Sequence, residues 1–140
     1  MKKLIYIQDN FLDPSLCKPF IDLFDLKKED RSLDAVTDLC KTFDPDIILD
    51  YVGVVRWPVG TFMKPHFDKN DVHGEDVFAA MLYLNDDFTG GSTCFEDFEV
   101  KPEIGKLIVF SNSQYLHYVS KVEGVERFVL SFWYNKLDKE

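Results

Sequence analysis

Ile48-Leu49-Asp50-Tyr51-Val52-Gly53-Val54-Val55-Arg56-Trp57 is a ten-residue run of mostly β-branched and aromatic residues with no proline, and Pro58-Val59-Gly60 follows it. Residues of this kind bounded by turn formers read as a strand. The same rhythm continues downstream, with further strands predicted over Phe62 to Asp68, Val77 to Leu84, Ser92 to Phe98, Lys106 to Phe110, Tyr115 to Val119 and Arg127 to Tyr134. Clusters of Gly, Pro, Asn and Asp separate them. Upstream the pattern differs. Leu4 to Ile7 is a short strand, and Asp13-Pro14 reads as an N-cap with Pro at the first helical position. Leu16, Cys17, Phe20, Ile21, Leu23 and Phe24 then recur at helical spacing. After a charged break over Lys27 to Ser32, Ala35, Val36, Leu39, Cys40 and Phe43 mark a second amphipathic helix, closed by Asp44-Pro45. Seven strands after two helices predict a mainly β (α+β) fold, a jelly-roll sandwich with the two N-terminal helices packed on one sheet. The 140 residues fit one domain, with helical support over about 11–45 and a β core over about 47–135.

Composition narrows the function. Sixteen Lys and Arg against 25 Asp and Glu give a net charge of −9, so a nucleic-acid polyanion would be repelled. No apolar stretch approaches bilayer length, so no membrane partner is expected. The four-residue apolar run near the N-terminus is too short for a signal peptide. Cys17, Cys40 and Cys94 are widely spaced with no Cys-x-x-Cys pattern, which suggests neither a disulfide framework nor a thiolate zinc site. The expected compartment is a cytoplasmic, reducing one.

His66-Phe67-Asp68 falls in a predicted strand, where residues i and i+2 project to the same face about 6.5 Å apart. Both side chains can then grip one ion. The motif alone is weak, because with 25 of 140 residues acidic about one His in five meets an acid at i+2 by chance. His73-Gly74-Glu75 has the same form but sits in a turn-rich polar stretch with no strand to align it. A third donor is available in Tyr115-Leu116-His117-Tyr118-Val119, an apolar strand where an imidazole without a polar partner is costly to bury. His66, Asp68 and His117 together form a 2-His-1-carboxylate set that leaves open positions on an octahedral iron(II). Ten residues beyond His117 stands Arg127, which shares strand parity with Ser131 and Trp133. A guanidinium beside a hydroxyl suits a carboxylate. The plainer readings are a surface His-Asp pair, a hydrogen-bonded core His and a solvated Arg at a strand end.

These residues resemble the iron(II)/2-oxoglutarate dioxygenases of the prolyl-4-hydroxylase type. The resemblance runs from about Tyr51 to Tyr134. Its pieces are Val54 to Gly60 leading to Lys64-Pro65-His66-Phe67-Asp68, then Leu82-Tyr83-Leu84-Asn85-Asp86-Asp87-Phe88, Gly90-Gly91-Ser92-Thr93-Cys94-Phe95, Gly105 to Phe110, and His117 through Val122, Gly124, Arg127 and Trp133. The resemblance implies a double-stranded β-helix (jelly roll, cupin-like). It also implies Fe(II), the co-substrate 2-oxoglutarate and O2 as reactants, with ascorbate as a stimulant. Arg127 would bind the distal carboxylate of 2-oxoglutarate, Tyr83 would offer its phenol to the same group, and Ser131 would lie beside it. Trp133, Trp57 and Met63 would form pocket wall. Gly90-Gly91 would make a turn that lets backbone approach closely.

Relatives often carry Tyr where Trp57 and Met63 stand. The collagen-type enzymes have Lys where Arg127 stands, whereas the oxygen-sensing and many bacterial types have Arg. No distal Arg of the DNA-repair kind follows Arg127, in keeping with the acidic composition. The implied reaction is hydroxylation of an aliphatic C–H, most readily a prolyl residue in a peptide or protein. A free amino acid or other small molecule, a metal-holding jelly-roll module without catalysis, and a zinc hydrolase are the alternatives. Lys69 to Asp76 could form a loop over the substrate or a solvated connection. Oligomeric state is not legible in the sequence.

Overall fold

The computed structural model describes residues 4–23, 31–68 and 78–136. In chain order its elements are β1 (Ile5–Gln8), α1 (Pro14–Leu23), α2 (Arg31–Phe43), β2 (Ile47–Trp57), β3 (Met63–His66), β4 (Phe78–Tyr83), β5 (Thr89–Gly90) and β6 (Thr93–Phe95). They continue as β7 (Glu99–Val100), β8 (Leu107–Phe110), β9 (His117–Val119), β10 (Val122–Glu123) and β11 (Arg127–Lys136). A five-stranded sheet has the order β1-β8-β4-β11-β2, and a four-stranded sheet the order β3-β9-β6-β7. β10 and β5 form a separate two-stranded ribbon. All pairings are antiparallel. The fold is a jelly roll with two helices on its larger sheet.

Strand alternation gives that sheet two different faces. Leu82, Leu107, Val109, Leu130, Phe132 and Tyr134 share one cluster with Cys17 and Phe20 of α1 and Val36 and Cys40 of α2. The residues of opposite parity, Ala79, Tyr83, Ile108, Phe110 and Val129, pack with Phe95 and Val100 of the smaller sheet. Tyr134 ties the first layer together, its hydroxyl lying 2.9 Å from the Thr37 hydroxyl of α2. Burial pushes the Tyr134 phenol well above its ordinary pKa, so it stays neutral in that contact.

The cap predicted at Asp13-Pro14 is present. Asp13 accepts hydrogen bonds from the Ser15 amide (2.9 Å) and the Ser15 hydroxyl (2.7 Å), and Pro14 opens the helix. Several boundaries differ from expectation. Leu16 is 48% exposed, because the buried stripe of α1 runs through Cys17 and Phe20 one position further on. α2 starts at Arg31, within the stretch expected to be a break, and Leu33 packs against the core. Ala35 is exposed instead. The strand expected over Ser92 to Phe98 is a hairpin, β6 and β7 around Glu96-Asp97, with the Phe95 amide bonded to the Phe98 carbonyl at 2.8 Å. Two acidic residues in succession favour a turn over a continued ladder. The last strand runs on to Lys136. Phe24, most of the Lys27 to Ser32 break, and Val77 lie outside the described residues. No helix among the described residues is long and apolar enough to cross a membrane.

Leu130 lies at 0% exposure in the middle of β11, bonded to a strand on each side and packed against the helix layer. Leu130→Ala is expected to lower unfolding free energy by about 2–5 kcal/mol, the cost of emptying a buried leucine site. Urea denaturation checks this, and a midpoint equal to wild type would contradict the role given to that layer.

Candidate metal centre

β3 and β9 pair so that His66 stands opposite His117, which sets the two imidazole centroids 4.3 Å apart. A register shift between Met63 and His66 follows the Pro65 position, where no backbone N–H is available for the ladder. The Nδ1 of His66 lies 2.7 Å from the Lys64 carbonyl and that of His117 2.8 Å from the Tyr115 carbonyl. A carbonyl only accepts, so each Nδ1 carries the proton and donates it. Each Nε2 is then the ring atom left to face the Asp68 carboxylate and to serve as a metal donor. Both locks are to the residue two before the histidine, an arrangement with no mark in the sequence. Such outer contacts fix ring orientation and ligand basicity.

Asp68 was expected on the strand with His66, but β3 ends at His66. What places Asp68 is Asn112, in the turn after β8. The Asn112 carbonyl accepts the Asp68 amide at 3.0 Å, and its side-chain amide donates to Asp68 Oδ2 at 3.1 Å. Thus held, Asp68 Oδ1 lies 3.1 Å from His66 Nε2 and Oδ2 3.4 Å from His117 Nε2. Adjacent octahedral positions around a hard divalent ion with bonds of about 2.1 Å are about 3 Å apart. The three donor atoms all lie within 4.8 Å of one another, a geometry that suits one metal ion. Burial works against the Asp68 charge, but His117, Asn112 and His66 outweigh it and hold the carboxyl below its ordinary pKa.

The donors form part of the wall of a cavity of about 180 Å³ that lies between the two sheets. Trp57, Met63, Ser131 and Trp133, all predicted near the site, line it. Arg127 and Tyr83 lie behind its wall, both fully buried. Arg127 Nε donates to the Gly91 carbonyl at 2.8 Å, Nη2 to the Thr93 hydroxyl at 3.2 Å, and Nη1 is buried without a partner. The guanidinium also lies 4.9 Å from the Trp57 ring centroid and 5.3 Å from that of Tyr83. Burial lowers the Arg127 pKa from its ordinary value, with the Tyr83 phenol opposing. An arginine remains charged under such a shift. None of these partners is an anion, so the site combines a desolvated cation with an unused donor. A ligand carboxylate fits that donor set.

The sequence reading missed Thr93. It lines the cavity, and its hydroxyl lies 2.5 Å from the Tyr83 hydroxyl as well as accepting from Arg127. Parity from Phe95 would have placed it on the inner face of β6. The Gly90-Gly91 turn is as expected, with both residues at positive φ. A Cβ at Gly91 would meet Phe88 at 2.8 Å and Arg127 Cδ at 3.1 Å, so glycine lets its carbonyl sit against the guanidinium. His73 and the Lys69 to Asp76 segment lie outside the described residues.

The family model of the 2OG-Fe(II) oxygenase superfamily matches residues 52–135. Among curated proteins no sequence matches the chain. In fold it is similar to a viral collagen prolyl hydroxylase from Paramecium Bursaria Chlorella virus-1 in complex with 2-oxoglutarate, with a TM-score of 0.80 at 18% identity over 96% of each chain. It is similar to a Pseudomonas putida prolyl-4-hydroxylase, with a TM-score of 0.77 at 19% identity over 96% of this chain and 93% of that one. HygX from Streptomyces hygroscopicus, with nickel and 2-oxoglutarate bound, gives a TM-score of 0.66 at 12% identity over 94% and 82%.

If Asn112 orients the Asp68 carboxylate, Asn112→Ala should weaken iron(II) or manganese(II) binding by about 10–100-fold, the usual effect of removing an outer-shell partner. Metal titration monitored alongside far-UV circular dichroism checks this; unchanged affinity in a folded variant would remove Asn112 from the site.

Proposed function

This chain belongs to the 2OG-Fe(II) oxygenase superfamily, and from that premise we propose that it hydroxylates an aliphatic C–H bond of a prolyl residue in a peptide or protein. Iron(II) and 2-oxoglutarate are its cofactors. The observation that carries the reading is the convergence of two imidazole Nε2 atoms and one carboxylate on a cavity backed by a buried guanidinium with an unpaired nitrogen. The preference for a prolyl residue rests on the likeness in fold to two prolyl hydroxylases.

His66, Asp68 and His117 would hold the metal, and three positions of an octahedral ion would remain for exogenous ligands. Bound iron supplies the oxidative chemistry, in which O2 converts 2-oxoglutarate to succinate and CO2 and one oxygen atom is delivered to a substrate C–H as hydroxyl. The chain's own residues bind, orient and exclude water. Nη1 of Arg127 is assigned to the distal carboxylate of the co-substrate. Thr93 and Tyr83 position that guanidinium through the hydroxyl contacts already described, and Ser131 lines the cavity between Arg127 and Trp133 along β11. Val55, Ala79, Met81 and Phe110 give the cavity an apolar lining that limits competing water.

Anaerobic titration with iron(II) followed by 2-oxoglutarate is expected to produce a weak visible charge-transfer band. Asp68→Ala should abolish both the band and succinate formation. Arg127→Gln should keep metal binding but raise the 2-oxoglutarate dissociation constant about 30-fold or more, as expected when one partner of a buried charge pair is removed. Full turnover by Asp68→Ala, or unaltered 2-oxoglutarate affinity in Arg127→Gln, would overturn the assignment.

A further inference from the structure

Gly53 lies on β2 with the same parity as Tyr51, Val55 and Trp57, the three residues of that strand that line the cavity. Its backbone does not demand glycine, since its φ is outside the left-handed region. What demands glycine is space. A Cβ at Gly53 would lie 2.2 Å from the Tyr51 hydroxyl oxygen and 2.7 Å from Cζ. The phenol therefore folds back along its own strand into the volume that a side chain at Gly53 would fill. Directly opposite Tyr51 in the ladder stands Trp133, and the two rings meet edge to face with centroids 6.2 Å apart at 61°.

Both residues line the cavity, yet both remain exposed, Tyr51 at 49% and Trp133 at 42%. They therefore stand at its mouth. Among the described residues β2 is an edge strand of the large sheet, with no further strand of that sheet on this side. Inward from the two rings the wall is apolar through Val55, Ala79, Ala80 and Met81. Among the described residues the only acid in the lining is Asp68, already engaged with both histidines. A cationic side chain entering here would find no free counter-charge among those residues, whereas a neutral aliphatic ring can lie against the two aromatic faces.

We propose that Tyr51, held over Gly53, is a substrate-binding residue that forms with Trp133 an aromatic clamp for a neutral aliphatic ring of a peptide, while its phenol donates a hydrogen bond to a backbone carbonyl of that peptide. The choice of a prolyl probe rests on the hydroxylase reading given above. The clamp itself is a separate claim about affinity.

Calorimetry of a proline-rich decapeptide and its alanine counterpart tests it. Each is titrated into the full chain loaded with manganese(II) and 2-oxoglutarate, so that binding is read without oxidation. The wild type should favour the proline peptide. Tyr51→Ala and Gly53→Ala, the latter displacing the ring while leaving it in the chain, should each raise the proline-peptide dissociation constant about tenfold. Tyr51→Phe should raise it about threefold through loss of one hydrogen bond. The 2-oxoglutarate dissociation constant should stay within about twofold of wild type in all three, a pattern that general loss of structure would not give. The clamp is overturned if the wild type does not prefer the proline peptide, if Tyr51→Ala and Gly53→Ala bind it as wild type does, or if 2-oxoglutarate affinity falls in parallel. Iron-supported succinate formation with the same peptide is read separately. A peptide that binds through Tyr51 and is not hydroxylated sinks the prolyl hydroxylase reading and leaves the clamp standing.

Discussion

The register that sets His66 against His117 is the constraint on which the site depends. Each histidine lies on a short strand, β3 or β9, and neither strand is long enough to fix its own position. Pairing supplies what length does not. Once the two rings are opposite one another, the backbone carbonyls two residues earlier accept hydrogen bonds from Nδ1–H and aim both Nε2 atoms toward the same point. A slip of one residue would send one imidazole to the other face of the sheet. The third donor is placed by different means, from a turn, so the triad joins a ladder constraint to a side-chain one.

β11 plays the corresponding part for the rest of the site. Its even-numbered residues Phe128 to Tyr134 build the helix-covered core, and its odd-numbered residues Arg127, Ser131 and Trp133 serve the cavity face or the guanidinium behind it. A buried arginine and an unpaired Nη1 cost stability on one face. The apolar cluster on the other face of the same strand offsets that cost, and rigid neighbours on both sides, β2 and β4, keep the charged group from relaxing toward water.

Much of this was legible in the sequence because period-two alternation survives in the long strands. Parity alone puts Arg127, Ser131 and Trp133 on one face, and the histidines stand out by context, His66 by its predicted strand spacing to Asp68 and His117 by its apolar strand. The reading failed where a long-range partner decides the outcome. Asp68 was assigned to a strand although Asn112, 44 residues away, is what holds it. Asn112 carries no periodic signal because it stands in a turn, whereas Thr93 has the parity of Phe95 but, as a threonine in a strand, nothing else that marks it. The Glu96-Asp97 hairpin was read as one strand because aromatic residues flank it on both sides. The charge over Lys27 to Ser32 suggests a break and so a late start for α2, whereas Asp34 in the first turn of that helix suits its dipole.

Charge in the cavity links the two halves of the site. Asp68 would bring one negative charge to a divalent metal, and Arg127 adds a positive charge that none of its hydrogen-bond partners among the described residues matches. Without co-substrate the metal-loaded site therefore carries an excess of two positive charges in an apolar setting, where such an excess is poorly screened. A dicarboxylate carries two negative charges, one at each end. It brings the site to neutrality only if one end meets the metal and the other meets the guanidinium. A monocarboxylate would leave one cation uncompensated. Under the assignment of Arg127 to a co-substrate carboxylate, its placement behind the wall, apart from the His66-Asp68-His117 cluster, favours a ligand charged at both ends, and the apolar space near Tyr51 and Trp133 then suits a neutral group.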